Sequence, residues 1–252
     1  MLIAIDIGNT NIVAGIYNGE RLVDSFRISS RNHLTSDEAV VYLQAALTRA
    51  GTSPRDISKA IIASVVPRLT GALDEACVTL FKRNAMIVSA RIPMPITIDI
   101  DSPDQLGADR IANAVAGFAK WGGPLIVVDF GTATTFDVVD SKGTYIGGVI
   151  IPGPETAMEE LAKRAARLFE VRIEEPTSVV GKSTAAALKS GLYYGTIGQI
   201  DYIIERILGE TGFKNATIVA TGGLASGMNT HSRFIKQIAP SLTLDGLRIL
   251  AG

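Results

Sequence analysis

The chain writes one pattern twice: a short apolar run that ends in Asp-x-Gly and then in small polar residues. Residues 2–10 read Leu-Ile-Ala-Ile-Asp-Ile-Gly-Asn-Thr, and residues 125–133 read Leu-Ile-Val-Val-Asp-Phe-Gly-Thr-Ala. An apolar run closed by Gly marks a buried strand with a tight turn at its carboxyl end. The residues after each turn repeat as well. Ile12 to Tyr17 runs into Asn18-Gly19 and a second strand-like stretch; Thr135 to Val139 runs into Ser141-Lys142-Gly143 and then Tyr145 to Ile151. Asn-Gly between apolar runs is a strong hairpin signal. Two copies of strand, acidic Gly turn and hairpin predict an α/β fold of two like domains that face one cleft.

A chain of 252 residues, 47% of them apolar, can supply a core to each of two domains. The expected division is 1–118 and 119–252, with Trp121-Gly122-Gly123-Pro124 as the linker. A net charge of −1 argues against nucleic acid or a membrane surface as partner. The single cysteine, Cys77, excludes an internal disulfide and points to a reducing cytoplasm. Its helical spacing with Leu73 and Leu80 suits a core position rather than a reactive thiol. His33 and His231 lie far apart in polar, loop-like surroundings, which predicts solvated side chains and no zinc site. Asp6 interrupts the first apolar run too early for a secretory signal, and no stretch approaches bilayer-spanning length.

In the first half the patterns predict strands at 2–6, 12–17 and 21–28, a helix at 36–50, a strand at 60–65, a helix at 68–83 and a strand at 85–88. Thr35-Ser36-Asp37-Glu38 has capping-box spacing, and Val40, Leu43 and Leu47 form one helical face. The second half opens with a helix near 107–120, a strand at 125–129 and the repeated hairpin. Helices near 154–168 and 183–208, a strand at 217–221 and a last helix near 231–238 complete it.

The first loop, Asp6-Ile7-Gly8-Asn9-Thr10-Asn11, is short and rich in small polar groups. Gly8 lets backbone approach a phosphate, while Asn9, Thr10 and Asn11 offer donors. Asp6 repels phosphate directly; its fitting task is to hold Mg²⁺, through a water or an oxygen, against nucleotide phosphates. Asp129-Phe130-Gly131-Thr132-Ala133-Thr134-Thr135 offers the same parts again. One copy could be a plain Asp-Gly turn; two in matched contexts point to phosphoryl transfer. Thr221-Gly222-Gly223-Leu224-Ala225 comes after a strand, and its paired glycines suit either a flat nucleoside against bare backbone or a simple tight turn. Gly181-Lys182-Ser183-Thr184 imitates the tail of a P-loop and fails: the motif's first Gly would fall at Pro176, and no strand precedes it.

Gly107-Ala108-Asp109-Arg110 opens a helix with Ile111, Val115 and Phe118 on its apolar face, and Ser102-Pro103-Asp104-Gln105 before it resembles a cap. Alone, Asp109 could answer the helix dipole or pair with Arg110 in solvent. A kinase, however, needs a base for the acceptor hydroxyl. Asp109 lies just upstream of the second phosphate strand, and Arg110 suits recognition of an acceptor carboxylate.

Taken together, these motifs resemble the type III pantothenate kinases, on the duplicated actin-like (ribonuclease H-like) ATPase fold. The resemblance covers nearly the whole chain. It rests on Asp6-Ile7-Gly8-Asn9-Thr10, Gly107-Ala108-Asp109-Arg110, Asp129-Phe130-Gly131-Thr132-Ala133, Gly147-Gly148-Val149-Ile150-Ile151-Pro152-Gly153 and Thr221-Gly222-Gly223. It implies that Asp6, Ile7, Gly8, Asn9, Thr10, Asn11, Ile12 and Val13 bind ATP phosphates, with Thr132 contacting them too. Asp109 would accept the proton of the pantothenate hydroxyl, and Gly107, Ala108, Asp109 and Arg110 would hold that substrate. Asp129 would bind K⁺ or NH₄⁺, and Thr184 would touch pantothenate. The family resemblance further implies a homodimer with the pantothenate pocket at the subunit interface. Many relatives carry Tyr where this chain has Ile100, so a hydroxyl contact to substrate is replaced by an apolar wall.

The implied reaction is ATP-dependent phosphorylation of pantothenate to 4′-phosphopantothenate, which opens coenzyme A biosynthesis. Two alternatives differ in what they predict. A sugar-type kinase on the same fold would turn over hexoses without response to K⁺. A non-catalytic regulator that binds nucleotide or pantothenate should have lost Asp6, Asp109 or Asp129, and all three are present.

Overall fold

A computed structural model of the protein describes residues 1–30, 34–228 and 230–252. His33 lies outside the described residues. The chain packs as two units, residues 1–120 with 241–252, and residues 121–240. A boundary at 118/119 puts residues 241–252 with the second half; here they pack with the first.

In the first unit, strands β1 (Leu2–Ile7), β2 (Asn11–Asn18), β3 (Arg21–Ser29), β4 (Lys59–Ser64) and β5 (Met86–Ile87) form one sheet in the order β3-β2-β1-β4-β5. β2 runs antiparallel and β4 parallel to β1. Helices α1 (Ser36–Arg49) and α2 (Pro67–Phe81) share a core with Ile3, Ile5 and Ile7. Each such isoleucine, fully buried, contributes about 1.5–3 kcal/mol of transfer free energy. Thr35 caps α1 in the predicted capping box: its hydroxyl accepts from the Glu38 amide while Glu38 accepts from the Thr35 amide. Cys77 is buried in this core. The short strand β6 (Thr97–Ile98) and helix α3 (Ala108–Trp121) come next.

In the second unit, β7 (Leu125–Phe130), β8 (Ala133–Val139), β9 (Thr144–Pro152), β10 (Thr217–Gly222) and β11 (Gln237–Ile238) take the order β11-β10-β7-β8-β9. Ile126, Val128 and Phe130 pack in a core with Tyr193, Ile197, Ile200 and Ile204 of the long helix α5 (Thr184–Thr211). Helix α4 (Pro154–Arg164) lies between β9 and α5 in sequence, and the four-residue α6 (Ala225–Met228) succeeds β10.

The duplication extends to register. Leu2 pairs with Tyr17 as Leu125 pairs with Val139, and both hairpins carry a bulge at the same place, between Ile16/Tyr17 and between Val138/Val139. The edge strands repeat too: the Val88 amide donates to the Ile62 carbonyl, and the Ala239 amide to the Ala220 carbonyl, both at 2.9 Å.

Two expectations need correction. Residues 231–238 form no helix; they end in β11, parallel to β10. The Ser232 hydroxyl accepts from the amides of Phe234 and Ile235 and donates to the buried Asp201 carboxylate, and such local side-chain bonds compete with helix. The last helix is instead α7 (Leu242–Ala251), which packs on β1 and β4 of the first unit. There Tyr17 donates to Asp245 Oδ1 at 2.8 Å; burial and that carboxylate push the Tyr17 hydroxyl above the usual phenol range. Second, Ser102 caps nothing with its side chain: Pro103–Gln105 is a separate 3₁₀ turn before α3. His231 is exposed, as expected, and its side chain also has neighbours. Its Nε2 lies 2.7 Å from Glu175 Oε1, and its ring meets Tyr193 and Tyr194 edge-on at 5.9 Å.

Candidate active site

The first unit holds the first loop at the carboxyl end of β1. Pairing stops at Ile7–Ile12, leaving residues 8–11 as the loop. Gly8 donates its amide to the Asn11 carbonyl at 2.9 Å, and the Thr10 carbonyl accepts from the Ser30 amide at 3.0 Å. Asp6 is half-buried; strand alternation places it on the same face as Ala4, opposite the isoleucine core. Asn9 is exposed, Gly8, Thr10, Asn11 and Val13 are half-buried, and Ile12 is in the core.

The same unit holds Asp109 in the first turn of α3. The Ile111 amide donates to the Gly107 carbonyl at 3.0 Å, so the helical ladder starts at Gly107. Asp109 Oδ1 accepts from the Arg110 amide at 2.9 Å and folds over Gly107, where a Cβ would stand 2.5 Å away. The carboxylate therefore does answer a free helix donor, but with one oxygen. Asp109 and Arg110 are half-buried, and Ala108 is buried. Ile100 is half-buried beyond β6; between its segment and the preceding coil, Arg91 grips Asp104 with two hydrogen bonds of 3.0 and 2.8 Å.

The second unit holds the second loop. Here pairing ends at Phe130–Thr134, so residues 131–133 form the loop, one fewer than the 8–11 of the first. Gly131 donates to the Ala133 carbonyl at 3.1 Å. The exposed Thr132 presents a carbonyl that accepts from the Gly153 amide at 3.0 Å and from Thr156 Oγ1 at 2.7 Å. A Cβ at Gly153 would collide with the Gly131 and Thr132 carbonyl oxygens. Asp129 is half-buried beside the end of β10, where Gly222 has φ +89°. A Cβ there would lie 2.6 Å from Asp129 Oδ1 and 2.5 Å from the Phe130 carbonyl oxygen. Gly222 is thus required for close approach to Asp129 as well as for its left-handed turn.

Thr184 is the first residue of α5. Ser183 is its cap, with Oγ accepting from the Ala186 amide at 3.2 Å, so Gly181-Lys182-Ser183-Thr184 is a helix start and not a P-loop. A cavity of about 650 Å³ lies between α4 and the coil 170–173, with Met158, Ile173 and Leu224 on its apolar side and Glu155, Glu159 and Glu170 among its polar groups. Sequence reasoning missed Ser30 and Thr156, and placed Gly153 in a motif without giving it a role. Only the spacing of Ser30 after the first hairpin and Gly153 after the second could have signalled that they serve matching loops. Among the described residues, no three His, Cys, Asp or Glu side chains gather as a metal cluster, and no helix is long and apolar enough to cross a membrane.

The family model described as type III pantothenate kinase matches residues 2–206. Among curated proteins, the type III pantothenate kinase of Geotalea uraniireducens is 45% identical over 99% of this chain and 97% of its own length. That of Agathobacter rectalis is 41% identical over 99% and 96%. Among solved structures, the activator of 2-hydroxyisocaproyl-CoA dehydratase from Clostridium difficile, with bound ADPNP, superposes with a TM-score of 0.58 at 13% identity, covering 99% of this chain and 92% of that one. A ROK hexokinase from Thermus thermophilus does so with 0.54 at 12%, covering 99% and 97%. These structural likenesses establish the duplicated actin-like α/β fold.

Proposed function

The chain belongs to the type III pantothenate kinase family, and we propose how its residues divide the work of that reaction. The activity is ATP-dependent phosphorylation of an alcohol group of pantothenate, a step of coenzyme A biosynthesis. In our reading the primary hydroxyl of pantothenate attacks the γ-phosphorus in line. The new P–O bond forms as the bond to the ADP oxygen breaks, and the hydroxyl proton passes to Asp109.

The observation that carries this reading is the pose of Asp109. One carboxylate oxygen is fixed by the Arg110 amide, which orients the other without consuming it. Phosphoryl transfer leaves the protein little covalent work, so positioning and electrostatics dominate. Residues 6–13 and Thr132 bind ATP phosphates through small side chains and backbone amides. Gly107 to Arg110 hold pantothenate, Arg110 facing its carboxylate, with Ile100 as an apolar wall and Thr184 as a further contact.

Asp6 suits Mg²⁺ and Asp129 suits K⁺ or NH₄⁺. The donor set fits: both are carboxylates at strand ends, and Gly222 lets the Asp129 carboxylate and the Phe130 carbonyl crowd one spot with oxygen. When bound, such cations neutralise phosphate charge. We place the enzyme in the cytoplasm as a homodimer; the Ala- and Gly-rich start of α5 supports this as a close-packing surface, while Tyr193 is spent in the unit's own core.

The test is a coupled ADP-release assay. ADP should appear only with pantothenate, hexoses should not replace it, and Na⁺ in place of K⁺ should remove most of the rate. Asp129→Asn should blunt the K⁺ response while the fold survives. No pantothenate-dependent ADP would overturn the kinase reading; equal rates in Na⁺ and K⁺ would overturn the placement at Asp129.

A further inference from the structure

The Thr132 carbonyl is held at the start of α4 by two donors of different kinds: the Gly153 amide at 3.0 Å and the Thr156 hydroxyl at 2.7 Å. Gly153 is the residue that precedes α4, and no side chain caps that helix. Gly153 is buried, and the Gly131 and Thr132 carbonyl oxygens occupy the space a Cβ would need. Thr156 stands two residues beyond Pro154 at the first helical position, and at that distance its hydroxyl could instead have turned to solvent. It reaches back to the loop.

We propose that Thr156 is a positioning residue for ATP: with Gly153 it clamps the Thr132 carbonyl and so fixes the peptide whose side chain and amide face the phosphates. This rests on the reading that Thr132 binds ATP. The loop has only residues 131–133 between paired strand ends, and because a peptide unit is planar, a carbonyl fixed at its centre also fixes the Ala133 amide in the same plane. The Thr10 carbonyl of the first loop is held by the Ser30 amide, the counterpart of Gly153. On the second loop Thr156 adds a side-chain donor beside the Gly153 amide. Its contribution therefore falls on one loop and on one substrate.

Thr156→Val keeps the shape of the side chain and removes the donor; Thr156→Ser keeps the donor. Thr156→Val should raise the KM for ATP about 3- to 10-fold, the effect of one lost hydrogen bond. The KM for pantothenate should stay at its wild-type value, the melting temperature should fall by no more than the few degrees that one lost hydrogen bond costs, and Thr156→Ser should behave as wild type. An unchanged KM for ATP in Thr156→Val would overturn the clamp. So would equal rises in both KM values together with a lower melting temperature, which a purely structural role predicts. Wild-type protein that releases no ADP with pantothenate overturns the kinase reading alone. The clamp is then decided by calorimetric titration with Mg-ATP: Thr156→Val must weaken binding by the same factor, and an equal Kd overturns it.

Discussion

The two copies of the strand–loop–hairpin agree where backbone geometry decides and differ where chemistry does. Registers, the bulge and the edge-strand hydrogen bond repeat from one unit to the other. The loops do not: the second is a residue shorter and is braced by a helix start. The end of β4 is Ser64, while the end of β10 is Gly222 pressed against Asp129. The edge strands are succeeded by α3 and α7, yet α3 begins Ala108-Asp109-Arg110 and α7 begins Leu242-Thr243-Leu244. In the proposed reading, the duplicated sheet supplies two places to bind phosphate. The proposed base exists in one copy only.

That asymmetry makes the largest prediction. Asp109→Asn keeps an oxygen for the Arg110 amide and removes the proton acceptor, so kcat should fall on the order of 10² to 10⁴. Melting temperature and ATP binding should stay near wild type. In the other copy, Thr243→Val deletes the hydroxyl that donates to Asn113 Oδ1 at 2.8 Å. It should cost about 1 kcal/mol of stability and leave kcat alone. A folded Asp109→Asn protein within a few-fold of wild-type kcat would break the comparison, because the two helix starts would then be equivalent.

Exchanging the strand ends gives a smaller effect. Gly222→Ser installs the residue of the first copy at φ +89°, with a Cβ 2.6 Å from Asp129 Oδ1. Strain of this kind costs about 1–3 kcal/mol, and the displaced carboxylate should weaken the response to K⁺. The reverse exchange, Ser64→Gly, meets no such contact. Its cost is that of extra glycine freedom, about 0.5–1 kcal/mol, together with the two hydrogen bonds that Ser64 Oγ accepts from the Val66 amide and the Thr70 hydroxyl. Chemical denaturation measures both losses, and the K⁺ response separates the pair: Ser64→Gly should leave it alone, and an unchanged K⁺ response in Gly222→Ser would mean that Gly222 is an ordinary turn.

Much of this is legible in the sequence, for identifiable reasons. Ile3, Ile5 and Ile7 announce β1 because strand burial writes itself as uninterrupted apolar residues, and Thr35 with Glu38 announces α1 because the capping box is local. Asp109 falls in its first helical turn as expected because the apolar face of α3 fixes the helix start within a residue. The helix expected at 231–238 fails because Asp201, far away in sequence, holds Ser232 and the Arg233 amide. The return of α7 to the first unit depends on Tyr17 meeting Asp245, again a distant pair. Thr156 is invisible because a threonine inside a helix signals nothing until its acceptor, the Thr132 carbonyl, is located. Local rules carry the strands, loops and caps; contacts between remote segments do not show.

The remaining difference between the copies is bulk. After β4 the chain builds α2, Pro67–Phe81, and after β10 only α6, Ala225–Met228. The single cysteine lies in α2 and is fully buried, which makes it a reporter for the first unit alone. Burial, with a smaller push from Asp74, raises the Cys77 thiol to about 12. In the unfolded chain it should titrate near about 8.5. At pH 8 the native thiol is protonated and enclosed, so a thiol reagent should leave folded protein unlabelled and label one site per chain in denaturant. The same gap fixes a pH dependence. The neutral thiol's stabilising contribution is fully present below the unfolded value and is lost as pH rises toward the folded one. Its loss should reach about 1.4 kcal/mol per pH unit between those limits. Cys77→Ala, at some cost in packing, should show a shallower loss of stability between about pH 9 and 12 than wild type. Parallel stability curves would remove the linkage. Rapid labelling of native protein at pH 8 would show that α2 opens without global unfolding, and that the larger helix of the first copy adds bulk but not rigidity.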